Sequence, residues 1–134
     1  MEINYKEALT RAEELARLCP PTDKAFSVGA IVFDTNGVEV ATGYSRETGE
    51  HDHAEEVALV KARAAEIDVR GGTMVCSMEP CGARASKPVC CADLVIQAGI
   101  STVVYNHPEP PTFIKTPNGN EILKKAGVQV LLFS

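Results

Sequence analysis

The feature that most constrains this chain is a set of metal-binding side chains far apart in sequence. His53-Ala54-Glu55 stands at the head of one helical pattern, and Glu79-Pro80-Cys81, followed by the adjacent Cys90-Cys91, leads into another. One imidazole and two thiolates make a tetrahedral zinc site with a fourth position left for water. Glu55, two residues after the histidine, is placed to move protons for that water without being a ligand itself. Such a set demands a fold that brings two helix starts together.

The ligand reading is His53 and Cys81, with the second thiolate left between Cys90 and Cys91, which lie eight and nine intervening residues after Cys81. His51 is at the wrong spacing from Glu55 and reads as a loop residue near the site. Either second cysteine opens a helix, where orphan N–H groups and the helix dipole favour the thiolate. A purely structural zinc site needs four protein ligands and no neighbouring acid. That reading requires both Cys90 and Cys91 on one ion, which adjacent residues rarely achieve.

The elements follow from periodicity. Apolar Ala8, Leu9, Ala12, Leu15 and Ala16 share one face of a helix over 5–18, ended by Pro20-Pro21. Phe26–Phe33 reads as a buried strand, and Asn36-Gly37 turns it into an antiparallel partner over Val38–Tyr44. Gly29 inside that strand marks either a close approach by other atoms or a bulge. Ala54–Ile67 is rich in good helix formers, so His53 and Glu55 sit at its start. Thr73–Met78 is a second buried strand. A helix over Cys90–Ala98 stops at Gly99, a strand covers Ile100–Tyr105, a helix over Gly119–Ala126 stops at Gly127, and Val128–Phe133 is the last strand. A hairpin followed by strand–helix–strand units predicts one α/β domain over 1–134, with a five-stranded mixed sheet antiparallel at the hairpin and parallel through the crossovers.

Composition narrows the partners. The formal charge of −5 and the lack of a basic aromatic stripe argue against nucleic acid. No apolar run approaches the roughly 18 residues of a membrane span, and the first residues carry no signal-peptide core, which predicts a cytoplasmic protein with no membrane partner. Five cysteines, an odd number, favour metal or catalytic use over a disulfide framework. Cys19 and Cys76 read as small buried apolar residues.

The H-x-E and P-C…C pattern resembles the cytidine deaminase superfamily. Within it, Ala25–Ala30, Gly43-Tyr44-Ser45-Arg46-Glu47, the long cysteine gap with Arg84, Ser86 and Pro88, and Glu109–Phe113 resemble the fungal-type pyrimidine deaminase of riboflavin biosynthesis. The likeness runs from about Tyr5 to Leu132. It implies a three-layer α/β/α domain and zinc-dependent loss of the 2-amino group of a 2,5-diamino-6-(ribityl or ribosyl)amino-4(3H)-pyrimidinone 5′-phosphate. It also implies at least a homodimer. In this superfamily the second thiolate lies eight positions before the residue that ends its helix. Counting back from Gly99 favours Cys91, with Cys90 as the alternative. The longer gap makes 82–89 an insertion beside the site.

Where nucleoside deaminases often carry a sugar-binding Asn this chain has Ser27, a departure that weakens a plain cytidine reading. Arg46, Arg84 and Lys87 are candidate phosphate cations, and Phe113 or His107 a candidate cover for the pyrimidine ring. No reductase domain lies within these residues, so reduction of the product is expected from another protein. The competing readings are a deaminase of another small base, nucleoside or antibiotic, an editing deaminase of nucleic acid, and a non-catalytic zinc module.

Overall fold

A computed structural model describes residues 3–20, 27–49, 52–78, 91–107 and 119–133. Its elements are α1 (Tyr5–Ala16), β1 (Gly29–Phe33), β2 (Glu39–Tyr44), α2 (Ala54–Ala64), β3 (Thr73–Cys76), α3 (Cys91–Gln97), β4 (Thr102–Tyr105), α4 (Gly119–Lys125) and β5 (Gln129–Leu132). The five strands make one mixed sheet in the order β2-β1-β3-β4-β5. All nine elements fall within the segments expected from periodicity, with ends trimmed by a few residues.

The pairing refines the sequence expectation. β1 is antiparallel to β2 and also to β3, whereas β3–β4 and β4–β5 are parallel. β2 and β3, joined through α2, therefore run the same way but are not neighbours, because β1 lies between them. A crossover fixes the relative direction of two strands and leaves open what is inserted between them.

Alternation along the central strands sorts the core into two faces. Ile31 and Phe33 of β1, Val75 of β3 and Val104 of β4 meet Ala8 and Leu9 of α1. Ala30, Val32, Met74, Cys76, Val103 and Tyr105 point the other way, onto Ala54, Ala58 and Ala62 of α2, Ala92 and Val95 of α3, and Leu123 of α4. The result is three layers: α1, the sheet, and the remaining helices. Every residue of β1 and β3 is buried, so both strands read as continuous apolar runs. Each fully buried aliphatic side chain contributes about 1.5–3 kcal/mol relative to exposure.

Local signals act as their chemistry dictates. Asn4 Oδ1 caps α1 by accepting from the Glu7 N–H at 3.1 Å. Asp34 Oδ1 accepts from the N–H groups of Asn36 (2.9 Å) and Val38 (3.0 Å), closing the hairpin loop. Gly99, at φ +78°, stops α3, and the Ile100 N–H reaches back to the Val95 carbonyl.

Two glycines set how tightly helices lie on the sheet. A Cβ on Gly29 would fall 1.9 Å from the Ala12 carbonyl oxygen of α1. Of the two readings of this glycine, close approach by another backbone is the one seen. A Cβ on Gly43 would fall 2.4 Å from the Ala54 carbonyl oxygen and 2.7 Å from the Ala58 nitrogen, so α2 is seated on β2 by its first turns. Gly29→Ala should push α1 off the sheet and cost about 1–3 kcal/mol. The check is a lower urea midpoint at unchanged m-value.

Candidate metal and proton-transfer site

The site is built from the starts of two helices and the end of a strand. His53 precedes α2 in an extended conformation, φ −89° and ψ 157°. Its N–H donates to Glu56 Oε1 at 3.4 Å, a long half of a capping box. Cys91 is the first residue of α3 and fully buried. Its Sγ lies 3.1 Å from His53 Nδ1. Glu55, one residue into α2, is 3 % exposed, and one of its carboxylate oxygens joins these two atoms in a cluster spanning no more than 4.8 Å.

This donor set fits zinc. Bonds of about 2.0 Å to nitrogen and 2.3 Å to sulfur at tetrahedral angles place the two atoms about 3.5 Å apart, close to the spacing seen between Nδ1 and Sγ. A buried carboxylate beside them is costly unless it is hydrogen-bonded or faces a cation.

Behind Glu55 lies Cys76, the last residue of β3. Burial pushes the Cys76 thiol well above its ordinary pKa, and the Glu55 charge pushes it the same way, so the sulfur keeps its proton. The sequence reading placed Cys76 in the core, and it is there at 0 % exposure. What that reading missed is the influence of the Glu55 charge on this thiol, since a single cysteine in an apolar strand carries no signal of what lies near it.

Two serines escaped sequence reasoning as well. Ser45 Oγ accepts from the Val28 N–H and Ser77 Oγ from the Gly29 N–H, both at 3.0 Å. Their own N–H groups bond back to the Val28 and Gly29 carbonyls at 2.9 Å. The entry to β1 is thus clamped from both sides by buried side chains of neighbouring segments.

The candidate substrate contacts divide. Arg46 takes a positive φ of 62°. Its Nη2 donates to Ser27 Oγ at 2.9 Å and to the Pro20 carbonyl at 3.0 Å. The structure therefore brings Ser27 and Arg46 together, against the segment that follows α1. His107 Nε2 lies 3.2 Å from Glu13 Oε1 of α1. That contact draws the ring toward α1. Cys81, Cys90, Arg84, Lys87 and Phe113 lie outside the described residues, as do His51 and Pro80.

Residues 3–107 match the cytidine and deoxycytidylate deaminase zinc-binding region. The chain belongs to that family. Zinc binding is a property of the family, and among the described residues His53, Glu55 and Cys91 form a cluster of the donor types a metal ion takes. The deaminase domain is 43 % identical over 130 residues to a diaminohydroxyphosphoribosylamino-pyrimidine deaminase of Schizosaccharomyces pombe, covering 96 % of this chain and 32 % of that protein. It is 33 % identical over 104 residues to the riboflavin biosynthesis protein RibD of Corynebacterium ammoniagenes, covering 78 % and 29 %. Among solved structures it resembles the Aspergillus oryzae Rib2 deaminase in complex with DARIPP. The TM-score there is 0.82 at 26 % identity, over 96 % of this chain and 83 % of that one. The domain thus spans about a third of the length of the first two relatives.

Removing the sulfur donor tests the site directly. Cys91→Ala should weaken zinc binding by more than about 100-fold, because losing even a partner behind a ligand costs 10- to 100-fold. Competition titration with a chromophoric chelator reads this without any substrate.

Proposed function

We propose that this deaminase domain hydrolyses the ring 2-amino group of a 2,5-diamino-6-(ribityl or ribosyl)amino-4(3H)-pyrimidinone 5′-phosphate, an intermediate of riboflavin biosynthesis. The products are the corresponding 5-aminouracil and ammonia. The observation that carries the reading is the convergence of His53, Cys91 and a buried Glu55 in a chain 43 % identical to the S. pombe deaminase. The DARIPP complex of the A. oryzae deaminase supports a phosphorylated pyrimidine as substrate.

In this reading His53, Cys81 and Cys91 hold the zinc, with Cys90 as the alternative third ligand. Zinc, when bound, lowers the pKa of a water molecule towards about 7. Glu55 accepts a proton from the attacking water and delivers it to the ring nitrogen beside the carbon under attack. It then takes the proton of the hydroxyl now on that carbon and passes it to the amino group, which leaves as ammonia as the carbonyl forms, so one water is consumed for each amine released. Burial of Glu55 excludes bulk water that would otherwise compete for the proton. Ala54 adds little bulk between the ligand and the acid. Ser27, Arg46, Arg84 and Lys87 are the proposed contacts to the sugar phosphate, and Phe113 the proposed cover of the ring. The Arg46–Ser27 hydrogen bond supports treating those two as one unit.

We further infer that the domain works as a cytoplasmic homodimer. Among the described residues no helix is long and apolar enough to cross a membrane. Val60 (61 % exposed) and Ile67 (42 %) border a cavity of about 470 Å³ between α2 and the end of α3, lined also by Leu59 and Leu94. An apolar face of that kind suits a second copy. Val60→Lys should halve the sedimenting mass in analytical ultracentrifugation, and an unchanged mass would place the interface elsewhere.

The decisive experiment is ammonia release from zinc-loaded protein on the ribityl and ribosyl diaminopyrimidinone phosphates, deoxycytidylate, cytidine, cytosine and guanine. Turnover should be confined to a diaminopyrimidinone phosphate. Glu55→Ala should lower kcat by about 10²- to 10⁴-fold, the range of positioned acid–base catalysis. Turnover of deoxycytidylate or cytidine instead would keep the chemistry and overturn the substrate.

A further inference from the structure

We propose that Glu47 and Lys61 are a positioning pair for His53, fixing the loop between β2 and α2 so that the imidazole is set toward Cys91 before a metal arrives. The inference rests on His53 being a zinc ligand, as in the proposed function.

The loop that follows β2 runs directly into His53. Within it the Arg46 N–H donates to the Asp52 carbonyl at 2.7 Å, and the Asp52 N–H donates to the Gly49 carbonyl at 3.1 Å. Thr48 Oγ1 donates to Asp52 Oδ2 at 2.6 Å. Glu47 ties this turn to the rest of the domain. Its Oε1 accepts from the Tyr44 N–H, at the end of β2, at 3.3 Å. Its Oε2 meets Lys61 Nζ of α2 at 2.5 Å. The Glu47 side chain is 19 % exposed and that of Lys61 40 %, so solvent screens this pair less than it screens an open surface pair.

The frame matters because of what holds His53. Its carbonyl is fixed by α2, accepting from the Val57 N–H at 3.0 Å. Its Cβ and backbone nitrogen turn together about the Cα–C bond, so the chain before His53 decides where the imidazole starts. The bond from the His53 N–H to Glu56 Oε1 is long, at 3.4 Å, and restrains that rotation only weakly. Glu47 adds a restraint by binding the preceding loop to Lys61, eight residues after His53 on the same helix. A ligand already in place loses less freedom when the metal binds, which raises affinity without adding a bond to the metal.

Zinc affinity reads the effect without any substrate. Glu47→Gln keeps an acceptor for the Tyr44 N–H and removes the charge, and Lys61→Met keeps the stem and removes the ammonium. Each should bind zinc at least threefold more weakly than the parent by chelator competition, at a temperature where circular dichroism shows every variant folded. The double variant should match the weaker single, since the second change removes a contact already lost. Losses that multiply in the double variant would overturn the pair.

The sign separates positioning from a simple field effect. Acting through its charge alone, removing the Lys61 cation would tighten binding of a metal cation, and removing the Glu47 anion would weaken it. Unchanged or tighter zinc binding in Lys61→Met would therefore overturn the proposal, as would a loss below threefold in Glu47→Gln. His53→Ala supplies the reference. If it binds zinc as the parent does, the ligand reading falls and this inference with it. If it loses zinc while the two single variants do not, the pair alone is refuted.

Discussion

The structure depends on one long-range meeting, that of His53 Nδ1 and Cys91 Sγ at 3.1 Å. Neither residue is held by its own segment alone. His53 is the last extended residue before α2, and Cys91 is the first residue of α3. Both helices lie on one face of the sheet and each leaves a strand at the same end, so their starts converge where α/β sheets commonly place ligands. The seating of α2 is set by Gly43, which lets the Ala54 carbonyl approach β2 more closely than any side chain would allow. A change of one methyl group there would move His53 and Glu55 together, because both belong to the first turn.

The second constraint is the buried carboxylate. Enclosing an ionised Glu55 opposes folding unless its charge meets donors or a cation. Local rules of stability are most often broken where function needs them broken. Here the break lies beside two metal-type donors, those of His53 and Cys91. The strands that carry this arrangement are the most buried of the sheet, β1 and β3.

Much of this was legible in the sequence, because the relevant signals are local. The helix under His53 and Glu55 follows from its alanines and glutamates. The stop of α3 follows from Gly99, whose positive φ only glycine takes without strain. The sheet order was less legible. That β1 pairs antiparallel with β3 depends on which strand slides between β2 and β3, a through-space choice that leaves no periodic trace. The Ser45 and Ser77 clamps on β1 are hidden for the same reason, since each joins residues from different segments. Arg46 reads in the sequence as a candidate phosphate cation, and in the structure it takes a positive φ with its side chain bonded to Ser27 and Pro20. A loop charge is judged from sequence by its neighbours along the chain, and here the neighbours that matter lie across it.

The two faces of the sheet divide the labour. α1 covers one face with Ala8 and Leu9 and approaches β1 closely at Gly29. The opposite face carries small side chains against the sheet: Ala30, Ala54, Ala58 and Ala92. Small residues let helix and strand backbones come close, and close backbones leave little room for a buried acid to reorient. Precision at Glu55 thus follows from the alanine content of the face as much as from its polar partners. A bulkier core of equal hydrophobicity would bury as much area but set α2 farther from β3. It would then shift Glu55 relative to the His53 and Cys91 donors that give the carboxylate its use.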